Sequence, residues 1–115
     1  MSPKEISLHE LNARVHSATP PMLLEALPAK YYRDWHLPGA RHMPHDEARG
    51  LAPTLVPDKR TPIVVYCASA TCRNSHIAAR VLVQLGYQHV EVVPGGKQAW
   101  SEAGLAVERA VEQVA

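Results

Sequence analysis

The stretch at residues 63–85, IVVYCASATCRNSHIAARVLVQL, constrains the fold more than any other part of the chain. It opens on a short apolar run, Ile63, Val64, Val65 and Tyr66, directly after Thr61 and Pro62. That length and β-branched composition suit a buried strand better than a helix. It closes on a helical pattern with Ile77, Ala78, Val81, Leu82 and Leu85 on one face, stopped by Gly86 as a C′ residue. Between strand and helix lie both cysteines of the chain, Cys67 and Cys72, followed at once by Arg73. A loop that runs from a strand end into a helix start presents free backbone N–H groups and the positive end of the helix dipole, an arrangement that attracts anions. A cysteine at the head of such a loop is expected to ionise more readily than a free one. This junction is the candidate active site.

A chain of 115 residues accommodates one hydrophobic core. A single domain over residues 1–115 is therefore expected, with its core at about 6–107 and a tail at 108–115. With a net charge of +1 and no basic stripe, neither nucleic acid nor a membrane surface is expected as a partner. The first residues lack the apolar core of a signal peptide and no apolar run is long enough to span a bilayer, which points to the cytoplasm. There the two cysteines are expected to be reduced thiols and not a structural disulfide.

Along the chain, Ser7 with Glu10 three residues later has capping-box spacing for a helix that buries Leu8, Leu11 and Val15. That helix must end before Pro20 and Pro21. Residues 22–27, MLLEAL, fit a strand or a short helix by periodicity, and the surrounding prolines favour the strand. Pro38-Gly39 marks a turn and residues 40–43 a brief strand. Residues 45–51 are expected to form one or two helical turns, and residues 52–60, with Pro53 and Pro57, a surface connection. Val90, Glu91, Val92 and Val93 read as another strand, Pro94-Gly95-Gly96 as a sharp turn, and residues 97–103 as a short helix with Ala99 and Trp100 facing inward, ended by Gly104. Residues 108–115 are expected to be a short docked helix or a frayed tail. Alternating strands and helices at this spacing predict an α/β fold: a parallel sheet with helices on both faces. Ligands of such sheets bind beyond the carboxyl ends of the strands, where Cys67 is expected to lie.

Three segments resemble one family. His36-Leu37-Pro38-Gly39-Ala40 is similar to the H-(I/L)-P-G-A motif of rhodanese-like sulfurtransferases. Val65-Tyr66-Cys67 and the following loop resemble that family's active-site loop, and the run from Leu85-Gly86-Tyr87 through Gly95-Gly96-Lys97 and Trp100 to Gly104-Leu105 resembles its C-terminal signature. The resemblance implies a rhodanese-like three-layer α/β/α fold with a central five-stranded parallel sheet. It also departs from the pattern. The common single-domain loop is C-x4-R, whereas Arg73 stands six positions after Cys67, in a C-x4-C-R variant loop. Glu25-Ala26-Leu27 occupies the place of an early D-x-R, so the structural arginine of that motif is absent.

What the resemblance implies chemically is sulfur transfer. The Cys67 thiolate would take the sulfane sulfur of thiosulfate or a persulfide donor and pass it to a thiol or cyanide acceptor, with an acceptor protein as a further partner. Amides of Ala68, Ser69, Ala70, Thr71 and Cys72 would hold the persulfide, and Arg73 would attract the donor oxyanion. No cofactor or metal is implied, and the spacing of His36, His42 and His45 matches no standard metal site. Cys72 has three readings: a thiol that resolves the Cys67 persulfide, the nucleophile itself, or a loop residue lending only its backbone. Asn74 and Ser75 read as N-cap residues. Two rival functions share the same residues. Cys67-x5-Arg73 fits the spacing of phosphatases or arsenate reductases, although Tyr66 replaces their usual histidine and only Asp34 or Asp46 could serve as the acid. The other rival is a sulfur-carrier or redox-sensing dithiol module without catalysis.

Overall fold

The computed structural model describes residues 3–109. Five parallel strands, β1 (Lys4–Glu5), β2 (Met22–Glu25), β3 (Arg41–His42), β4 (Ile63–Tyr66) and β5 (Val90–Val93), form one sheet in the order β1-β5-β4-β2-β3. The longest pairings set the middle of the sheet: β4 runs beside β2 from Met22↔Ile63 to Glu25↔Tyr66, and beside β5 from Ile63↔Val90 to Tyr66↔Val93. β4 thus lies between two other strands and is buried at all four residues. This burial explains why its sequence is a continuous apolar run and not an alternating one.

Strand side chains alternate between the two faces, and two apolar layers result. One collects Leu24, Ile63, Val65 and Val92 under Ala48, Ala52, Ala78, Ala79 and Leu82, from helices α3 (Ala48–Leu55) and α4 (Asn74–Gln84). The other collects Leu23, Val64, Tyr66 and Val93 with Leu11 and Trp100, from α1 (Leu8–Val15) and α5 (Gly96–Glu102). A further helix, α2 (Ala29–Asp34), follows β2. The three-layer α/β/α architecture expected from the resemblance is the one observed, and of the expected strand at residues 22–27 the first four residues, Met22–Glu25, form it.

At the first helix, Ser7 caps α1 by accepting the Glu10 N–H at 3.0 Å. Two local expectations need correction. The segment at residues 52–60 is not all surface connection: after a 3-10 turn at His45–Glu47, α3 continues through Pro53 to Leu55. Ala52 and Val56 are buried, and the Val56 N–H donates to the Ala52 carbonyl at 2.7 Å. Pro53 forfeits the bond that an N–H would give the Arg49 carbonyl, and packing of the buried Ala48, Ala52 and Val56 holds the helix around it. Ile77, assigned above to the buried face of α4, is 45% exposed. The helix is rotated so that Ser75, Ala78, Ala79 and Leu82 point inward. Of the expected tail, Glu108 pairs with His36 in an antiparallel bridge, and residues 110–115 lie outside the described residues.

Candidate active site

Cys67 follows the last residue of β4 and sits at the carboxyl edge of the sheet, beside the ends of β2 and β5. Two main-chain bonds tie the start of its loop to α5: the Lys97 N–H donates to the Cys67 carbonyl and the Gln98 N–H to the Ala68 carbonyl, both at 2.8 Å. The backbone amides of Ala68 and Asn74 favour the Cys72 thiolate, and that of Ser75 the Cys67 thiolate. Cys67 Sγ also lies 3.3 Å from Ser75 Oγ and 3.4 Å from the Cys72 carbonyl oxygen.

The two sulfurs therefore differ. Cys67 is 1% exposed, and burial pushes its thiol above the ordinary value, reinforced by the neighbouring Cys72 and opposed by the hydroxyl and amide of Ser75. This overturns the expectation that Cys67 would ionise easily at rest: it lies deeper than a loop-head cysteine, with no direct access to water. Cys72 is half-buried. Burial works against its thiolate, but the Cys67 thiol and the amides of Ala68 and Asn74 outweigh that and hold it below the ordinary value. Cys72 is therefore the more readily ionised of the two thiols. Alkylation with limiting iodoacetamide is accordingly expected to label Cys72 first and at lower pH, as peptide mapping across a pH series would show. Preferential labelling of Cys67 would contradict this order.

The other loop residues lie around this pair. Ala68 is adjacent to it; Ser69 and Thr71 join their hydroxyl oxygens at 3.1 Å, and the Cys72 N–H donates to the Ser69 carbonyl at 3.0 Å. Ala70 and Arg73 are exposed. Arg73 is the N-cap residue of α4 and lines a groove along its outer side with His76, Arg80 and Gln84. Neither Asn74 nor Ser75 caps the helix: Asn74 is its first residue and Ser75, 1% exposed, is buried against Cys67. Sequence reasoning missed that role, although Ser75 stands three and four residues before the inward-facing Ala78 and Ala79 and so shares their face.

A second constellation, also missed, underlies the loop. Glu25, fully buried at the end of β2, accepts the Tyr66 hydroxyl at 2.8 Å and the Lys97 ammonium at 3.3 Å. Lys97 also donates to the Tyr31 carbonyl at 2.8 Å and lies 4.6 Å from the Trp35 ring. Burial raises the Glu25 carboxyl and lowers the Lys97 ammonium, so both are drawn towards the neutral form while each pulls the other back. The signal for it was the altered D-x-R: a buried acid without its arginine needs another cation, and Lys97 supplies it from the Gly-Gly-Lys segment. An open cleft of about 400 Å³ lies over this network, lined by Leu27, Tyr31, Asp34, Trp35, Ala68 and Lys97 among others. A depression of about 430 Å³ lies at the opposite, amino end of the strands among Lys4, Arg14, Arg60 and His89, far from either cysteine.

His36 and His42 have structural partners. His36 stacks on Tyr32 at 3.8 Å between ring centroids, and its Nδ1 lies 2.9 Å from the Tyr32 carbonyl oxygen. His42 Nε2 lies 2.6 Å from the Leu27 carbonyl oxygen. Among the described residues no helix is long and apolar enough to cross a membrane.

The rhodanese-like domain model matches residues 7–103. Thiosulfate sulfurtransferase PspE of Escherichia coli strain K12 is 38% identical over 66 residues, which is 57% of this chain and 62% of that protein. The chain thus spans less than two thirds of the curated relative it matches. The solution structure of a rhodanese-like domain from Anabaena sp. superposes with a TM-score of 0.82 at 28% identity, covering 100% of this chain and 85% of that one. A rhodanese with anions from E. coli superposes with a TM-score of 0.66 at 27% identity, covering 78% of this chain and 99% of that one.

Proposed function

This chain belongs to the rhodanese-like domain family, and from that premise we propose that it is a sulfurtransferase that carries a sulfane sulfur as a persulfide on Cys67. The observation that carries the reading is the placement of Cys67 just past the end of β4, buried at the carboxyl edge of the sheet with Ser75 Oγ 3.3 Å from its sulfur. In the first half-reaction Cys67 gives up its proton to solvent as the turn opens, and the Cys67 thiolate attacks the outer sulfur of thiosulfate. A Cys67–sulfur bond forms, the sulfur–sulfur bond of the donor breaks, and sulfite leaves with the electron pair. The amide and hydroxyl of Ser75 stabilise the thiolate, and the amides of residues 68–74 the persulfide. Arg73, at the start of α4, adds positive potential that draws in the donor anion. Loading requires the turn at residues 69–72 to open. Ala70 and Thr71 at its tip are exposed, and the described bonds across it are Cys72 N–H to Ser69 and Ser69 to Thr71.

A thiol takes the sulfur in the second half-reaction, and the free state of both cysteines fits a reducing compartment such as the cytoplasm. PspE carries the name thiosulfate sulfurtransferase, which favours thiosulfate as donor. Sulfur transfer is favoured over phosphate-ester or arsenate chemistry because, among the described residues, neither acid that could serve stands against the cysteine pair: Asp34 lies across the cleft near Arg109, at 3.8 Å, and Asp46 lines a different surface with His42 and His45. The test is sulfite release from thiosulfate with a dithiol acceptor. Wild type is expected to turn over and Cys67→Ser to fall to the uncatalysed background. Turnover retained in Cys67→Ser would remove Cys67 from the mechanism.

A further inference from the structure

We propose that Cys72 is the internal acceptor of the transferred sulfur: its thiolate resolves the Cys67 persulfide, releasing hydrosulfide and leaving a Cys67–Cys72 disulfide that an external dithiol must reduce. The inference rests on the persulfide reading above and names the acceptor class of the same site.

Three features of the loop carry it. First, Cys67 is 1% exposed and the Cys72 carbonyl stands 3.4 Å from its sulfur, so a thiol from solution meets it only while the turn is open, whereas Cys72 stays beside it when the turn closes. Second, Cys72 is the loop residue already packed on Cys67 Sγ, its carbonyl oxygen 3.4 Å away, so the fold keeps the second thiol beside the first. Third, Cys72 reaches the surface whereas Cys67 does not, so a reductant has one sulfur to enter by. Thiol–disulfide exchange needs a thiolate next to the sulfur it attacks, and here the two are held together by the fold with no encounter step.

The step balances without any oxidant. The persulfide anion on Cys67 and the Cys72 thiol contain one proton between them. The Cys72 sulfur bonds to Cys67 Sγ, the bond from Cys67 Sγ to the outer sulfur breaks, and that sulfur departs with the proton as hydrosulfide. In this step the outer sulfur is reduced and the Cys72 sulfur is oxidised, Cys67 Sγ having been oxidised when the persulfide formed. A dithiol then returns both cysteines to thiols and becomes a cyclic disulfide. Thiosulfate and a dithiol thus give sulfite, hydrosulfide, a proton and the oxidised dithiol.

The test is a single turnover of the reduced full chain with stoichiometric thiosulfate, anaerobically and without reductant, read by sulfide quantification and intact mass. Wild type is expected to release one equivalent of sulfide and to lose two hydrogens. Cys72→Ser and Cys72→Ala are expected to gain one sulfur, keep it, and release none. Wild type that retains the added sulfur and releases no sulfide overturns the inference and leaves the Cys67 persulfide standing. Sulfide release by the Cys72 variants overturns it as well. If wild type releases no sulfide and no form of the protein gains sulfur, the persulfide reading falls with it. The wild-type arm involves no substitution, so it stands even if a variant folds poorly.

Discussion

Gly96→Ala is expected to lower stability by about 3–5 kcal/mol, the sum of backbone strain and overpacking, and to eliminate sulfur loading in the protein that still folds. Gly96 has a φ of +55° and a Cβ added there would lie 2.2 Å from the Cys67 carbonyl oxygen and 2.9 Å from its carbon. Both neighbours are backbone, so no side chain can swing away. Relief would require α5 to withdraw from the loop, and with it the Lys97 and Gln98 amides that hold the carbonyls of Cys67 and Ala68. Gly39 provides the control. It has a φ of +81° but a methyl group added there would meet nothing within 4 Å, so Gly39→Ala carries strain alone, about 1–2 kcal/mol. Urea denaturation of the two variants isolates the close approach. Equal losses would show that contact with the active loop has no part in fixing glycine at position 96.

Lys97→Met is expected to cost about 3–5 kcal/mol at mildly alkaline pH, the usual consequence of stranding one member of a buried pair, and distinctly less at mildly acidic pH. Glu25 is held above the ordinary carboxylate range by burial while Lys97 and Tyr66 pull it back. Without Lys97 the Glu25 carboxyl moves further up, so the folded variant takes up a proton at a pH where the unfolded chain stays ionised. Folding is then favoured as pH falls through the folded-state pKa towards the unfolded value, and the deficit is fully present above it. Glu25→Gln combined with Lys97→Met is expected to recover much of the loss at high pH, because the amide oxygen still accepts the Tyr66 hydroxyl and no buried charge remains. A deficit independent of pH, unrelieved in the double variant, would show that Lys97 acts through its packing alone against Trp35 and Tyr31.

The sheet was legible where burial on both sides forces a distinctive composition. Ile63 to Tyr66 and Val90 to Val93 announce themselves as strands because central parallel strands have no solvated face to alternate towards. The second strand was ambiguous until flanking prolines were weighed, since Met22 to Leu27 satisfies two periodicities. What failed locally failed for tertiary reasons. Ile77 fits the apolar stripe of α4, but the phase of that helix places Ser75 against Cys67, and Ile77 is turned outward in consequence. Pro53 looked like a breaker, yet buried Ala52 and Val56 hold α3 together around it. The position of the site was legible from a strand-to-helix loop carrying both cysteines. The protonation order within it was not, because that depends on which sulfur is buried and which receives the amides of Ala68 and Asn74, and neither is written in residue spacing. The Glu25–Lys97 pair joins residues 72 positions apart, beyond the reach of any local pattern.

The central claim is that a sulfane sulfur is carried on Cys67, and the most direct measurement is its location. Reduced Cys72→Ser and Cys67→Ser would each be exposed to thiosulfate, trapped with an alkylating agent, and mapped by mass spectrometry of the peptide containing residues 61–80. One added sulfur on Cys67 in Cys72→Ser, with none in Cys67→Ser, is the expected result. An added sulfur on Cys72 in Cys67→Ser, with none on Cys67 in Cys72→Ser, would contradict the account and make Cys72 the carrier.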